Sequence, residues 1–338
     1  MVMRLSALGD VAMIVPVVLA LQQQYPQLKI TVVSRPLHRS FFKTIPGVHF
    51  YAVNPEHSKS GVFDLFRLYK ELSKLGVTAF ADLHDVLRSK VIRTCFKWNG
   101  VPVASLNKGR PERKKLTALK PKVLSPITPI VERHAEVCKS LGLPIALNKV
   151  KLLSGRNMSD SVLQITGVKK TKWIGIAPFA TYETKMYPLD LMEETMQLLL
   201  KSKYRIFLFG GGKHEAIQLE KMAAVSESVS NMAGRLSFDQ ELELISNLDL
   251  MLSMDSGNGH MAAMFGIPVV TMWGNTHPYA GFMPFGQPLS HSLLPDLKTY
   301  PLLPTSIYGN KVLPGYSDCM KSIRPVTVAR KISEVLEG

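Results

Sequence analysis

The sequence predicts an α/β protein built on two doubly wound parallel sheets. Three observations carry that prediction. Short apolar runs of strand length alternate with helical patterns at the spacing of strand–helix–strand units. The alternation occurs twice, once up to residue 142 and again from residue 173, with an irregular stretch at 143–170 between the two series. The chain has 338 residues, 46% of them hydrophobic, which is enough for two domains with sizeable cores. Such sheets take ligands at the carboxyl ends of their strands, here in a cleft between the domains.

The first series reads as a strand at residues 1–3, a helix at 11–24, a strand at 30–33 and a short helix at 35–44. A strand at 48–53, a helix at 64–75, a strand at 77–83, a helix at 86–98, a short strand at 101–105 and a helix at 130–141 follow. The opening strand lacks most of the roughly five residues of an ordinary one. Either the start is truncated or that edge of the sheet is minimal. Residues 11–21 are apolar and follow Arg4, as in a signal sequence. However, Asp10 interrupts them and LQQQYP follows without a small-residue cleavage site, so a buried amphipathic helix of a cytosolic protein is expected. No stretch is long enough to span a bilayer.

The second series begins with a strand at 173–177, followed by PFATYETKMYP and a helix at 189–201. A strand at 205–209, the loop Gly210-Gly211-Gly212, a helix at 214–224, a short strand and loop at 231–238 and a helix at 239–247 come next. Then comes the stretch on which the series turns, LDLMLSMDSGNGHMAAMFGIPVVTMWG at 248–274. A strand at 248–254 stops at Asp255-Ser256-Gly257-Asn258-Gly259, a helix is expected at 260–265, and the next strand at 267–273. A glycine-containing loop at a helix amino end offers unpaired N–H groups and partial positive charge to an anion. The residues alone leave two readings open: a diphosphate loop, or a tight turn capped by Asp255 or Ser256. Residues 274–322 are rich in Pro and Gly and read as irregular, and 327–336 as a last helix. The methionines around 251–264 read as core filling.

Charge is divided unevenly. The net +15 arises almost wholly in residues 1–150, with 23 Lys and Arg against 9 Asp and Glu; residues 151–338 carry 18 against 17. The first half is therefore expected to meet an anion: a phosphorylated substrate, a membrane surface or nucleic acid. Its densest stretch, SLNKGRPERKKLTALKPK at 105–122, holds seven basic residues and one acid, and its prolines and glycine predict a loop with at most a short helix. The three cysteines, Cys95, Cys138 and Cys319, are widely spaced with no metal or pairing pattern.

With these pieces in order, the sequence resembles glycosyltransferase family 9, the bacterial heptosyltransferases of the lipopolysaccharide core. The strings that carry the resemblance are RLSALGDVAMIVPVVLAL, ADLHDVLRSK and ERHAEVCKSLGLP in the first half. In the second half they are PFATYETKMYP, FLFGGGKHE, NMAGRLSF, MDSGNGHMAAMFGIPVVTMWG and DCMKSIRPVTVARKI. The resemblance implies a GT-B fold, two Rossmann-like domains facing a cleft. It gives an acceptor-binding domain at 1–155, a nucleotide-sugar domain at 156–322, and a terminal helix at 323–338 packing back on the first domain. It also implies an inverting, metal-independent transfer, heptose by family default, from a nucleotide sugar to a lipopolysaccharide-core or related lipid-linked acceptor. The nucleotide sugar, ADP-heptose by default, is a co-substrate, and neither cofactor nor metal is expected.

Residue by residue, the family's base carboxylate falls on Asp10, which would take the proton of the attacking hydroxyl; read on its own, a carboxylate there caps the first helix. The donor-phosphate lysine falls on Lys185, with Thr181 and Thr184 as hydroxyl contacts. Glu215, after Gly211, falls on the ribose hydroxyls, which a carboxylate can accept in pairs; otherwise it is a first-turn acid favourable to the helix dipole. Ser256 and Gly257 amides would hold the phosphates, His260 would donate to a phosphate oxygen, and Asp255 would orient the loop or touch the sugar. On the acceptor side, Arg88, Arg110, Arg113, Lys114, Lys115 and Arg133 are candidate contacts for phosphates or carboxylates, with His84 as a sugar contact. Each cation alone could be a solvated charge.

The expected protein is a monomer, peripheral to the inner face of the cytoplasmic membrane. Two rivals remain: a nucleotide-sugar epimerase of the same architecture, and a basic membrane- or nucleic-acid-binding protein without catalysis. No RNP-like, zinc-finger or helix-turn-helix pattern supports nucleic acid.

Overall fold

The computed structural model of the protein describes residues 1–53 and 61–337. The chain forms two compact units, Met1–Lys108 with Thr128–Leu153, and Gly109–Ile127 with Ser154–Gly338.

The first unit contains β1 (Val2–Met3), α1 (Leu8–Ala12), α2 (Val15–Gln24), β2 (Ile30–Ser34), α3 (Arg39–Phe42), β3 (Val48–Ala52), α4 (Val62–Ser73), β4 (Phe80–Asp82), α5 (Leu87–Trp98) and β5 (Val103–Ser105). The chain then leaves through α6 (Arg110–Leu116) and returns as α7 (Ile130–Ser140). Among the described residues the sheet has five parallel strands in the order β3-β2-β1-β4-β5. The two-residue β1 is thus no edge: it sits at the centre, with Met3 opposite Val33 on one side and Asp82 on the other. The single helix expected at 11–24 is two. Pro16, which has no N–H to give, sits in the first turn of α2, where none is needed. Val15 to Leu21 are buried all round rather than on one stripe. Phe80 stacks on Phe96 with ring centroids 4.8 Å apart, at the heart of the cluster that seats α4 and α5 on the sheet.

The second unit runs α8 (Asp160–Thr166), β6 (Trp173–Ala177), α9 (Leu189–Lys201), β7 (Arg205–Leu208), α10 (Gly212–Ala223), β8 (Val229–Asn231), α11 (Phe238–Ile245), β9 (Leu250–Met254), α12 (Gly257–Ala263), β10 (Val269–Met272), β11 (Ser292–Leu293) and α13 (Pro325–Glu337). Its described strands are parallel in the order β11-β10-β9-β6-β7-β8. Every residue of β6 and β9 is buried, as central strands covered on both faces must be. Each Leu or Ile there contributes about 1.5–3 kcal/mol by leaving water.

Two boundaries differ from expectation. Residues 109–127 group with the second unit, because Leu116 and Ile127 pack on Ala280, Tyr279 and Phe282, and Arg113 lies over the Phe282 and Tyr308 rings. The terminal helix α13 packs on α9 and β9 of the second unit, burying Val328 and Ile332 in that unit's core. The linker crossing falls at 153/154, close to the expected 155/156. The three cysteines are free and buried. Among the described residues no helix is long and apolar enough to cross a membrane.

Candidate active site

Each sheet has one place where successive strands begin to be laid down on opposite sides, and the loops that leave there diverge and open a crevice. In the first sheet it lies between β1 and β4, in the second between β6 and β9.

In the first unit the loop after β1 leads to Asp10, in the first turn of α1. Asp10 Oδ2 lies 2.5 Å from Arg4 Nη2 and accepts the Ala7 N–H at 3.2 Å. Asp10 therefore does help to cap its helix, while about 28% of its side chain stays open to solvent against 8% for Arg4. Arg4 is fixed in turn by donating from Nη1 to the Leu83 carbonyl at 2.6 Å. The loop after β4 brings His84 beside this pair, its Nδ1 accepting the Leu5 N–H at 3.4 Å. Burial, then the cations Arg4, Lys108 and Arg88, lower the His84 pKa to about 4, so its ring is neutral near pH 7. His134, from α7, is wholly buried and lowered to about 3 by burial and then by Arg4. The turn itself is tied by Asp82, whose Oδ1 accepts the His84 and Asp85 N–H groups at 3.0 and 2.8 Å, while Arg93 bridges Asp82 at 2.9 Å and Asp85 at 3.3 Å. The structure thus brings Asp10, His84 and Arg88 into one electrostatic neighbourhood. Arg133 is buried and donates to the carbonyls of Thr128 and Asn107, an internal use of a cation expected at the acceptor.

In the second unit the loops after β6 and β9 meet. Lys185 Nζ lies 2.9 Å from Asp255 Oδ2, with the two side chains 13% and 8% exposed. The sequence assigns Asp255 to orienting the loop or touching the sugar; the structure pairs it with Lys185, a partnership the sequence does not show. Ser256 is the N-cap of α12, which begins at Gly257, three residues earlier than expected. Its Oγ lies 3.2 Å from Ser253 Oγ, which itself accepts the Gly259 N–H at 3.2 Å. Glycine suits position 259 of this first turn because a Cβ there would press on Ser253, Val269 and Pro284. His260 is buried one turn in. Thr184 Oγ1 donates to the Gly309 carbonyl, and Thr181 is exposed. At the mouth of α10, Glu215 Oε2 accepts the Gly211 N–H at 2.7 Å, so this carboxylate closes its own loop. Arg110, Lys114 and Lys115 of α6 are exposed, whereas Arg113 is buried and donates to Tyr308 Oη at 2.6 Å. These four belong to the second unit, not the first.

Sequence reading missed Arg4, His134 and Ser253. In sequence Arg4 reads only as the flank of an apolar run, although a cation six residues before a loop carboxylate is within reach of it. Ser253 is a lone polar residue in an otherwise apolar strand, a signal that was available.

Two parallel α/β units of this construction make a GT-B protein, and the solved structures this chain resembles have that fold. Escherichia coli ADP-heptose lps heptosyltransferase II superposes with a TM-score of 0.71 at 20% identity, covering 99% of this chain and 98% of that one. E. coli heptosyltransferase WaaC with ADP gives 0.66 at 17%, covering 99% and 98%. In sequence, the lipopolysaccharide core heptosyltransferase OpsX of Haemophilus influenzae is 24% identical over 284 residues, 82% of this chain and 79% of that protein. The profile of glycosyltransferase family 9 (heptosyltransferase) matches residues 65–301. The chain belongs to that family and is a glycosyltransferase.

Proposed function

We propose that the protein transfers a heptosyl residue, with inversion and without a metal, from ADP-heptose to an anionic glycolipid of the lipopolysaccharide core. The observation that carries this reading is the Lys185–Asp255 pair at the crevice of the second sheet. Inverting transfer forms one bond, from the acceptor oxygen to C1 of the sugar, and breaks another, from C1 to the diphosphate oxygen. The acceptor hydroxyl loses its proton to Asp10, and the electron pair of the broken bond leaves on the diphosphate. That oxygen gains negative charge as the bond stretches. A preoriented ammonium in a water-poor site stabilises it more than a mobile one does. Lys185 supplies the ammonium, and the N–H groups of Ser256 and Gly257, at the amino end of α12, are the expected phosphate donors beside it. The cation in this reading is the protein's own, the Lys185 ammonium.

On the acceptor side, Asp10 is the base and Arg4 keeps its carboxylate aimed. His84, neutral near pH 7, can exchange hydrogen bonds with sugar hydroxyls. The exposed cations Arg110, Lys114 and Lys115 suit acceptor phosphates or an anionic membrane surface. The names of the relatives support the donor and acceptor classes: one solved structure holds ADP, and OpsX is named for the lipopolysaccharide core.

The test is to incubate the protein with ADP-heptose and heptose-deficient lipopolysaccharide in excess chelator. The product linkage is then read by NMR. Heptose-bearing product of inverted anomeric configuration supports the reading. Conversion of ADP-heptose in the absence of acceptor, or a strict need for added metal, overturns it.

A further inference from the structure

The ammonium of Lys185 is held by Asp255, and its stem is held by something else. The Lys185 methylenes run against Gly309, where a Cβ would overlap Cγ and Cδ of the lysine. Gly309 has φ +84°, so the backbone there also favours glycine. The adjacent Thr184 Oγ1 donates to the Gly309 carbonyl, and the Thr184 carbonyl accepts the Asn275 N–H at 3.0 Å. Asn275, wholly buried, closes the circuit: its carbonyl accepts the Thr305 and Ser306 N–H groups at 3.1 and 3.2 Å. Ser306 Oγ then accepts from the Tyr308 and Gly309 N–H groups at 3.3 and 3.0 Å. Residues 305–310 therefore form a folded strap across the lysine stem. Two cations from the basic segment 109–127 hold it, one at the residue just before it and one within it. Lys122 Nζ donates to the Pro304 carbonyl at 2.8 Å, and Arg113 Nη1 to Tyr308 Oη at 2.6 Å.

We propose that residues 305–310 are a positioning strap that fixes Lys185, with Ser306 and Gly309 as its working residues and Arg113 and Lys122 as its anchors. The consequence for transfer rests on the reading of Lys185 as the group that stabilises the departing diphosphate. A long, flexible lysine has many rotamers, and only one keeps its charge at the crevice. Removing the alternatives before substrate arrives avoids that cost during the reaction.

The experiment uses the full chain and three strap variants, Gly309→Ala, Ser306→Ala and Arg113→Met, with Lys185→Ala. Melting curves select the folded variants; Ser306→Ala and Arg113→Met add no branch to the site and carry the test if Gly309→Ala does not fold. Lysine acetylation by acetic anhydride is followed at Lys185 by mass spectrometry, with exposed Lys115 as the internal standard. In the parent protein Lys185 is expected to react roughly tenfold more slowly than Lys115, and in the strap variants to approach it. Turnover falls in the strap variants by on the order of tenfold to a hundredfold with the acceptor KM unchanged. In the Lys185→Ala background the same substitutions change turnover no further. Unchanged Lys185 acetylation in the folded variants overturns the strap, as do turnover losses that multiply with that of Lys185→Ala. If strap variants expose Lys185 while Lys185→Ala leaves ADP affinity and turnover intact, the strap stands and the diphosphate reading of Lys185 falls.

Discussion

Asp255 Oδ2 sits 2.9 Å from Lys185 Nζ, with both side chains largely buried, at the point where the loops after β6 and β9 converge. A lysine expected to face a diphosphate is thus already paired with a carboxylate, and the two charges nearly cancel. Burial of either one alone is costly, so the pair holds together and sets the lysine's direction. An incoming diphosphate then competes with Asp255 for the ammonium and is partly repelled by the carboxylate.

That competition makes the two partners differ in sign. Lys185→Ala is expected to weaken ADP about tenfold or more, since a charge-assisted contact is lost. Asp255→Asn is expected to leave ADP binding equal or tighter, while turnover falls because the lysine is no longer aimed. Isothermal titration with ADP beside steady-state kinetics measures both; equal weakening of ADP by both substitutions contradicts the competition.

Asp10 and Arg4 form the corresponding pair in the first unit, at 2.5 Å. Asp10→Asn is expected to abolish transfer with ADP affinity intact. Arg4→Met is expected to lower turnover by roughly a hundredfold through misplacement of the carboxylate, with partial recovery in Arg4→Lys. Near-normal turnover by Asp10→Asn removes it as the base.

Arg113 should behave unlike its neighbours on α6. It is buried, bonded to Tyr308 and placed over two aromatic rings, 5.0 Å from the Phe282 centroid and 5.7 Å from that of Tyr308. Arg113→Ala is expected to cost about 2 kcal/mol of stability. Exposed Lys115→Ala should change it by less than about 0.5 kcal/mol. Urea unfolding of the two variants compares them directly.

Acid should act on stability through His134. Its pKa is near 6.5 unfolded and about 3 when folded, because burial and the nearby Arg4 disfavour its charged form. As pH falls below 6.5 the unfolded chain takes up the proton first. The contribution is therefore complete above that value and is lost progressively below it, on the order of 2 kcal/mol by about pH 5. His84 acts in the same direction. Thermal melting against pH should show a slope that flattens in His134→Phe; an unchanged slope rules out this assignment.

Much of this architecture could be read in advance where periodicity and burial agree. The strand Trp173–Ala177 and the helix Leu189–Lys201 fall at the expected residues, because each is a clean apolar pattern bounded by Pro, Gly or a charge. The loops bearing Asp10, Lys185 and Asp255 were also placed at strand ends. What could not be read was partnership across sequence. Nothing local in PFATYETK says that its lysine meets Asp255, or that its threonine meets Gly309. Arg113 and Arg133 showed the opposite failure: composition marks them as surface cations, and tertiary packing turns both inward to satisfy carbonyls and rings. The start of α12 was misplaced because glycine propensity argues against a helix that packing next to Ser253 nevertheless permits.

The segment 109–127 also bears on how the chain is made. Leu116 is synthesised long before Ala280, the residue against which it finally packs. During translation this stretch emerges from the ribosome with its apolar side chains waiting for partners that do not yet exist, beside a run of lysines and arginines that discourages self-association. Cutting the gene at the linker would then yield two defective pieces: an upstream fragment carrying an orphaned insert, and a downstream fragment missing part of its own core.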